Sequence, residues 1–495
     1  MAMINSVQHK LLASAALALA AVTSVNAAPL SFGDETRAKP PRNIFGESAE
    51  RKAERLKWWT DARFGMFIHF GLFSELGRHE WVKSNELIDD ENYDRHVKYF
   101  NPDLFDAKEW AKTAKAAGMK YMVLTTKHHE GFCMWDTATT DYKITNTEFG
   151  RDVVKEFVEA CRAEGLGVGF YFSLKDWHHP DYLVDVTHPK RPGEIHNRNQ
   201  FENGQHQYDI PDGYYEKANE GKDWNRFREY MFAQVKELLG GKYGKIDIIW
   251  FDYVVKHPKY GKTWEAFDSV NLLKLARTLQ PDIIVDSRLD LMDTEDGWDF
   301  VTPEQFKVTE HPKWEGKNAY WETCQTFSGS WGYYRDEYTW KSAHQCLELL
   351  IHSVSFGGNL IMNVGPTGRG DFDARAKDRL AAYGKWMHWN SRSIYGCTEA
   401  PAGFKKPDNA LLTYNPKTNR LYVHLLDYQP GALWIEFADK IEYARFLHDA
   451  SEIRVRQGRG GGHSQGGEVR RPGAFIIPVI QPDQEIPVIE CFLKP

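Results

Sequence analysis

The chain has 495 residues, of which 42% are hydrophobic and 26% charged, and a formal net charge of −7. Such a chain is too long for one compact core, which predicts a large domain joined to a smaller one in a soluble globular protein. The mildly acidic balance offers no basic field for nucleic acid, whereas 14% aromatic content with 17 Trp suits clefts that stack on sugar rings.

Lys10, the short apolar run Leu11–Ala20 and the small residues of Val25-Asn26-Ala27 ahead of Ala28 read as a signal peptide cleaved after Ala27. The run is too short to span a membrane, so the expectation is a periplasmic or secreted protein with no membrane partner. Six cysteines (Cys133, Cys161, Cys324, Cys346, Cys397 and Cys491) are widely spread with no CxxC pair, which is not a disulfide scaffold.

Ser48 is placed to cap a helix from Ala49 to Trp59. A strand through Phe67-Ile68-His69 follows, then a loop with Glu80-Trp81 and a helix from Asp106 to Gly118. The strand Tyr121–Thr126 exits into Lys127-His128-His129-Glu130. A helix from Asp152 to Glu164 leads to the strand Gly167–Ser173 and the exit Asp176-Trp177-His178-His179. Ile246–Phe251 is apolar on both faces, as in a central parallel strand, and ends at Asp252. Trp264–Leu279 reads as one helix, Ile283–Arg288 as a strand, and Asn318–Thr323 as a further short one. A helix over Ser342–Ser355 and a strand through Asn359–Val364 close the series. Seven strands can be placed in this way, and an eighth cannot. The alternation predicts an α/β fold, a (β/α)8 TIM-like barrel. From Gly396 on, short strands such as Arg420–Leu425 and Ala474–Ile480, with a Gly-rich loop at Gly458–Gly467, predict a β-sandwich. The expected division is 1–27 signal peptide, 28–395 barrel and 396–495 sandwich.

His69, His128, His129, Tyr171, Asp252 and Arg288 all fall at strand exits, where parallel barrels place their ligands. Trp59, Trp81, Trp135, Trp177 and Trp331 lie near them in the sequence. Adjacent histidines in extended chain face opposite ways, so a metal shared by His128, His129, Glu130, His178 and His179 would need a bend. The sequence indicates no metal and no cofactor.

Phe64–Gly71, Glu80-Trp81, Lys127–Phe132, Asp176–Tyr182, Trp250-Phe251-Asp252 and Asn363–Pro366, in this order, resemble the α-L-fucosidases of glycoside hydrolase family 29. The likeness spans about Trp58 to Pro366. It implies a distorted barrel followed by a β-sandwich, and retaining hydrolysis of fucosylated oligosaccharides or polysaccharides. By resemblance Asp252 is the nucleophile, and Glu304 in Thr302-Pro303-Glu304 is the acid/base, with Glu322 as fallback and Glu310 a further candidate. His69, Glu80, Trp81, His128, His129 and Tyr171 would bind hydroxyls, Arg288 would lie beside the nucleophile, and Trp331 would face the C6 methyl. Three positions depart from the family's usual residues: Phe70, Glu130 and Tyr253. Phe70, Tyr253 or Trp331 would then decide between α-L-fucose and α-L-galactose or a sulfated algal sugar. More distant alternatives are a metal-dependent carbohydrate hydrolase and a non-catalytic carbohydrate-binding protein.

Overall fold

The computed structural model describes residues 39–191, 201–202, 205–206, 213–252, 262–458 and 472–495, and the fold lies in the unit Pro40–Pro495. The signal peptide, Tyr253 and nearly all of the Gly-rich loop lie outside the described residues.

In chain order the barrel consists of α1 (Ala49–Ala62), β1 (Phe64–Ile68), α2 (Ala107–Ala116), β2 (Tyr121–Lys127), α3 (Val153–Glu164), β3 (Gly167–Ser173), α4 (Trp224–Leu239), β4 (Ile248–Asp252), α5 (Ser269–Leu279), β5 (Ile284–Val285), β6 (Glu322–Thr326), α6 (Ala343–Ser355), β7 (Asn359–Val364) and α7 (Ala374–Asn390). Short polar side chains start most of these helices. Ser48, Asp106, Asp152, Asp223, Ser342 and Asp373 each accept a first-turn N–H, which satisfies donors that the helix itself leaves unbonded.

Seven strands form one sheet in the order β6-β7-β1-β2-β3-β4-β5, with every pair parallel. β1, β2, β4 and β7 are buried along their whole length, as strands covered on both faces must be. Their side chains divide by alternation. Phe67, Val123, Tyr171, Trp250 and Ile361 fill the barrel interior, while Met66, Met122, Phe170, Ile249 and Met362 pack outward under the helices.

The eighth stave is the stretch 299–305. Its Phe300 bridges Asp286 next to β5, while Val301 and Glu304 bridge Trp321 and Cys324 on the β6 side, all in parallel sense. This closes the ring without a continuous ladder, because Pro303 has no N–H to give.

Two expectations need correction, and one helix is additional to those expected. The strand expected at Asn318–Thr323 begins instead at Glu322. Trp264–Leu279 is broken at Asp268 (φ 52°) into two helices. α7 was not anticipated, although Ala376, Leu380, Tyr383 and Met387 recur at helical spacing on its buried side.

The C-terminal strands are β8 (Ala410–Asn415), β9 (Arg420–Leu425), β10 (Gly431–Ile435), β11 (Ile441–Phe446), β12 (Val455–Arg456), β13 (Gly473–Ile477) and β14 (Val488–Leu493). They form antiparallel sheets ordered β8-β9-β14-β11 and β10-β13-β12. Leu412, Val423, Ile489 and Phe475 share the core between the sheets, so the unit is a sandwich. The other face of the first sheet presents Leu411, Tyr422 and Val488 to the barrel core, and the Trp386 indole on α7 donates to the Ile486 carbonyl (2.9 Å). All six cysteines are buried thiols. No described helix is long and apolar enough to cross a membrane.

Candidate active site

Asp252 ends β4 at the carboxyl end of the sheet, the end at which barrel folds hold their ligands. Its carboxylate is largely buried and has two clear donors. Tyr171 on neighbouring β3 donates its hydroxyl to Oδ2 (2.8 Å), and Arg288 donates Nη1–H to Oδ1 (3.0 Å). The same guanidinium donates Nη2–H to Glu304 Oε2 (2.5 Å) and Nε–H to Thr302 Oγ1 (3.0 Å). Arg288 therefore spans from β5 to the eighth stave and joins Asp252 to Glu304. Its plane lies 4.4 Å from the Trp250 ring centroid. Burial would pull the guanidinium down, but the charges of Asp252 and Glu304 outweigh it and hold Arg288 well above its usual range. Burial, and next the Asp252 charge, push the Tyr171 hydroxyl well up, so it remains a donor.

The histidines line the wall beside this pair. His69 Nδ1 meets Asn363 Oδ1 at 2.7 Å, and because an amide oxygen can only accept, Nδ1 carries the proton. His129 Nδ1 meets Ser173 Oγ at 2.6 Å, and the serine hydroxyl is already directed at the Lys175 carbonyl, so His129 is again the donor. Burial, and next the neighbouring His128, lower both rings well below the usual imidazole range, so each is neutral with its proton on Nδ1. The His129 Nε2 lies 3.8 Å from Asp252 Oδ2. His128 stacks on Tyr171 at 5.7 Å and 14°, with Glu130 behind it (Nδ1 to Oε2 3.5 Å).

Trp331 closes another side, 5.1 Å from the His69 ring and 6.1 Å from that of Phe67. Glu80 positions it: Oε2 accepts the backbone N–H groups of Trp331 (3.1 Å) and Gly332 (2.9 Å). Asn363 Nδ2–H adds a bond to the Trp331 carbonyl (2.6 Å). Gly365 follows β7 where this loop crosses, and a Cβ there would lie 2.7 Å from the Trp331 carbonyl oxygen and the Gly332 carbonyl carbon, so only glycine fits. Trp81 packs on His129 (5.0 Å) and Trp177 (5.2 Å). Outward lies a cleft of about 600 Å³ lined by His79, Glu80, Trp81, Asn85, Glu304, Gln305, Gly329 and Trp331.

Asp252, Glu304, Arg288, His69, His128, His129, Tyr171, Glu80, Trp81 and Trp331 thus gather at one end of the barrel. Besides lining the site, Glu80 Oε2 accepts from the Trp331 loop and the Tyr171 hydroxyl donates to Asp252. The fallback Glu322 does not join them. It begins β6 at the opposite end, fully buried, where Trp59 Nε1–H (3.2 Å) and the Tyr121 hydroxyl donate to it. Trp59 stays there too, and Trp135 bonds Glu237 on α4. Glu310 is exposed and away from the cleft. Phe70 turns into the outer core against Phe100, Phe105 and Trp110, so it cannot touch a pocket ligand.

His178 pairs with Asp94 and stacks on Tyr142, while His179 packs on Tyr230, so the four histidines serve separate partners. Among the described residues no group of three or more His, Cys, Asp or Glu is arranged to hold a metal.

Sequence reasoning gave no role to Asn363, Ser173, Asp286 or Lys175. Their signal was position alone, since all four stand at or just past strand ends. Lys175 Nζ donates to Thr187 Oγ1 (2.8 Å) and lies 4.8 Å over the Trp81 ring, and burial lowers it to about 7 against the opposing charges of Asp185 and Asp252.

Asp252 and Glu304, joined by Arg288, stand at the end of the sheet where barrel enzymes carry their reacting groups, and a pair of carboxyls is what glycosidic-bond hydrolysis uses. The family model described as Alpha-L-fucosidase matches residues 37–392. The chain belongs to the alpha-L-fucosidase family, glycoside hydrolases that act on fucosyl groups. The alpha-L-fucosidase of Dictyostelium discoideum is 28% identical over 372 residues, covering 68% of this chain and 71% of that protein. Tissue alpha-L-fucosidase of Homo sapiens is 27% identical over 431 residues, covering 81% and 82%. Among solved structures, alpha-L-fucosidase isoenzyme 1 from Paenibacillus thiaminolyticus matches with a TM-score of 0.77 at 37% identity, over 90% of this chain and 100% of that one. A Bacteroides thetaiotaomicron alpha-L-fucosidase, solved as a trapped covalent intermediate with 2-fluoro-fucosyl fluoride, matches at 0.73 and 28% identity over 93% and 100%.

Proposed function

We propose that the chain is a secreted, retaining exo-α-L-fucosidase that removes terminal α-L-fucosyl groups from glycans by double displacement. The observation that carries this reading is the Arg288 bridge, which holds Asp252 and Glu304 on one guanidinium. Retention needs two carboxyls about 5–5.5 Å apart, close enough that one attacks the ring carbon while the other serves the departing oxygen. In the first step Asp252 attacks the anomeric carbon, the bond to the leaving oxygen breaks, and Glu304 gives that oxygen its proton. In the second, Glu304 takes a proton from water, whose oxygen displaces Asp252 from the sugar. The trapped intermediate of the Bacteroides relative supports the covalent step.

In this reading the Nε2 atoms of His69 and His129 accept sugar hydroxyls. Trp331 offers an apolar face to the C6 methyl, which favours fucose over a sugar bearing a C6 hydroxyl. The apolar run Leu11–Ala20 with small residues after it supports export.

The test is hydrolysis of aryl α-L-fucoside and aryl α-L-galactoside by wild type, Asp252→Ala and Glu304→Ala, with the first-formed anomer read by NMR. Wild type should release α-L-fucose first. Both variants should lose turnover, and azide should restore it, giving a β-azide from Asp252→Ala and an α-azide from Glu304→Ala. Release of the β-anomer by wild type would refute retention, and preference for the galactoside would move the substrate.

A further inference from the structure

A third carboxyl lies beside the pair, and the mechanism does not use it. Asp286, next after β5, is fully buried, and its Oδ1 accepts the backbone N–H of Phe251 at 3.1 Å, one residue before Asp252. β4 and β5 pair only at Ile248 with Ile284 and Ile249 with Val285. Had the parallel ladder continued, the Phe251 N–H would have met a backbone carbonyl of the neighbouring strand. It meets the Asp286 side chain instead. The backbone of Asp286 bridges Phe300 on the eighth stave, which carries Glu304, and two residues further on Arg288 bonds both carboxyls.

We propose that Asp286 is a positioning residue for the nucleophile: its side chain replaces a missing ladder carbonyl, fixes the carboxyl end of β4, and so aims Asp252 at the anomeric carbon. The proposal rests on Asp252 being the nucleophile. Burial raises the Asp286 carboxyl well above the usual range; the Arg288 charge pulls it down and the Asp252 charge pushes it further up. Held uncharged, it can lie beside Asp252 without repelling it. Asparagine keeps the same acceptor and the same neutrality, whereas alanine removes both.

The experiment compares Asp286→Asn, Asp286→Ala and Asp252→Ala in the full chain on aryl α-L-fucoside, with thermal unfolding to verify folding. Asp286→Asn should keep kcat within about threefold, while Asp286→Ala should lose kcat by on the order of 10–100-fold with KM changed far less, as misaimed reacting groups do. Wild-type kcat in Asp286→Ala would overturn the proposal, as would a loss in Asp286→Asn equal to that in Asp286→Ala. Should the alanine variant not fold, Asp286→Leu, which fills the same volume without an acceptor, takes its place: the same loss of kcat is expected, and wild-type kcat there would overturn the proposal. Retained turnover in Asp252→Ala is a separate result and would remove the nucleophile assignment itself.

Discussion

Glu322→Gln separates a buried structural acid from a catalytic one. Burial pushes the Glu322 carboxyl from 4.5 up to about 7, with the Tyr121 and Trp59 donors pulling the other way. Each unit is worth about 1.4 kcal/mol, so the native and unfolded chains differ by on the order of 3 kcal/mol in their hold on this proton. The native state keeps the proton between pH 4.5 and 7 and the unfolded state releases it, so this group makes stability fall as pH rises through that window and level off above it. Glutamine carries no such proton and keeps an oxygen for both donors. The advantage of Glu322→Gln over wild type should therefore be larger at pH 8 than at pH 5, by about 2–3 kcal/mol, or roughly 3 °C in Tm for a unit of this size. Thermal unfolding at both pH values reads this difference, and kcat on an aryl fucoside should stay at the wild-type level. An equal Tm shift at the two pH values would refute the neutral buried acid. Turnover lost only on substrates with poor leaving groups would make Glu322 the proton donor and refute the placement at the barrel's far end.

Two further outcomes follow from the pocket wall. Glu80→Ala removes the acceptor of two backbone N–H groups, each left unpaired at a cost of about 1–3 kcal/mol, so KM for aryl α-L-fucoside should rise by at least about tenfold through displacement of Trp331; an unchanged KM would show that Asn363 alone holds the loop. Lys175 is lowered to about 7 against 10.5, so from pH 7 to 10 the unfolded chain holds a proton that the native one has released, and stability contributed by this group rises with pH. Urea unfolding should show that slope, up to about 1.4 kcal/mol per pH unit, reduced in Lys175→Met; an identical slope in both proteins would refute it.

The regular part of the barrel was legible because β1, β2, β3, β4 and β7 are apolar on both faces and their helices begin at Ser or Asp caps. The eighth stave was not legible. Its apolar content is only Phe300-Val301, flanked by Asp299 and Pro303, and its pairing comes as isolated bridges that leave no period in the sequence. Position on the sheet predicted where Asp252 and Arg288 would meet, because a strand end fixes both height and face. It could not predict what each side chain bonds once there. Glu80 and Tyr171 resemble sugar ligands in sequence, and nothing there shows that they also bond the Trp331 loop and the Asp252 carboxylate. Phe70 was misplaced for a related reason, since the residue after His69 points to the opposite side of the strand.

The two carboxyls ride on backbone of unequal tolerance. One residue inserted into β4 would turn Asp252 out of the barrel and invert every pairing above it. The eighth stave is bolted at its base, where Asp299 takes Arg55 and Arg277. Between that anchor and Glu304 the stave is held by isolated bridges at Phe300, Val301 and Glu304 rather than by a continuous ladder. Fewer pairings therefore hold the Glu304 side than the Asp252 side, and the nucleophile's strand is the firmer of the two supports.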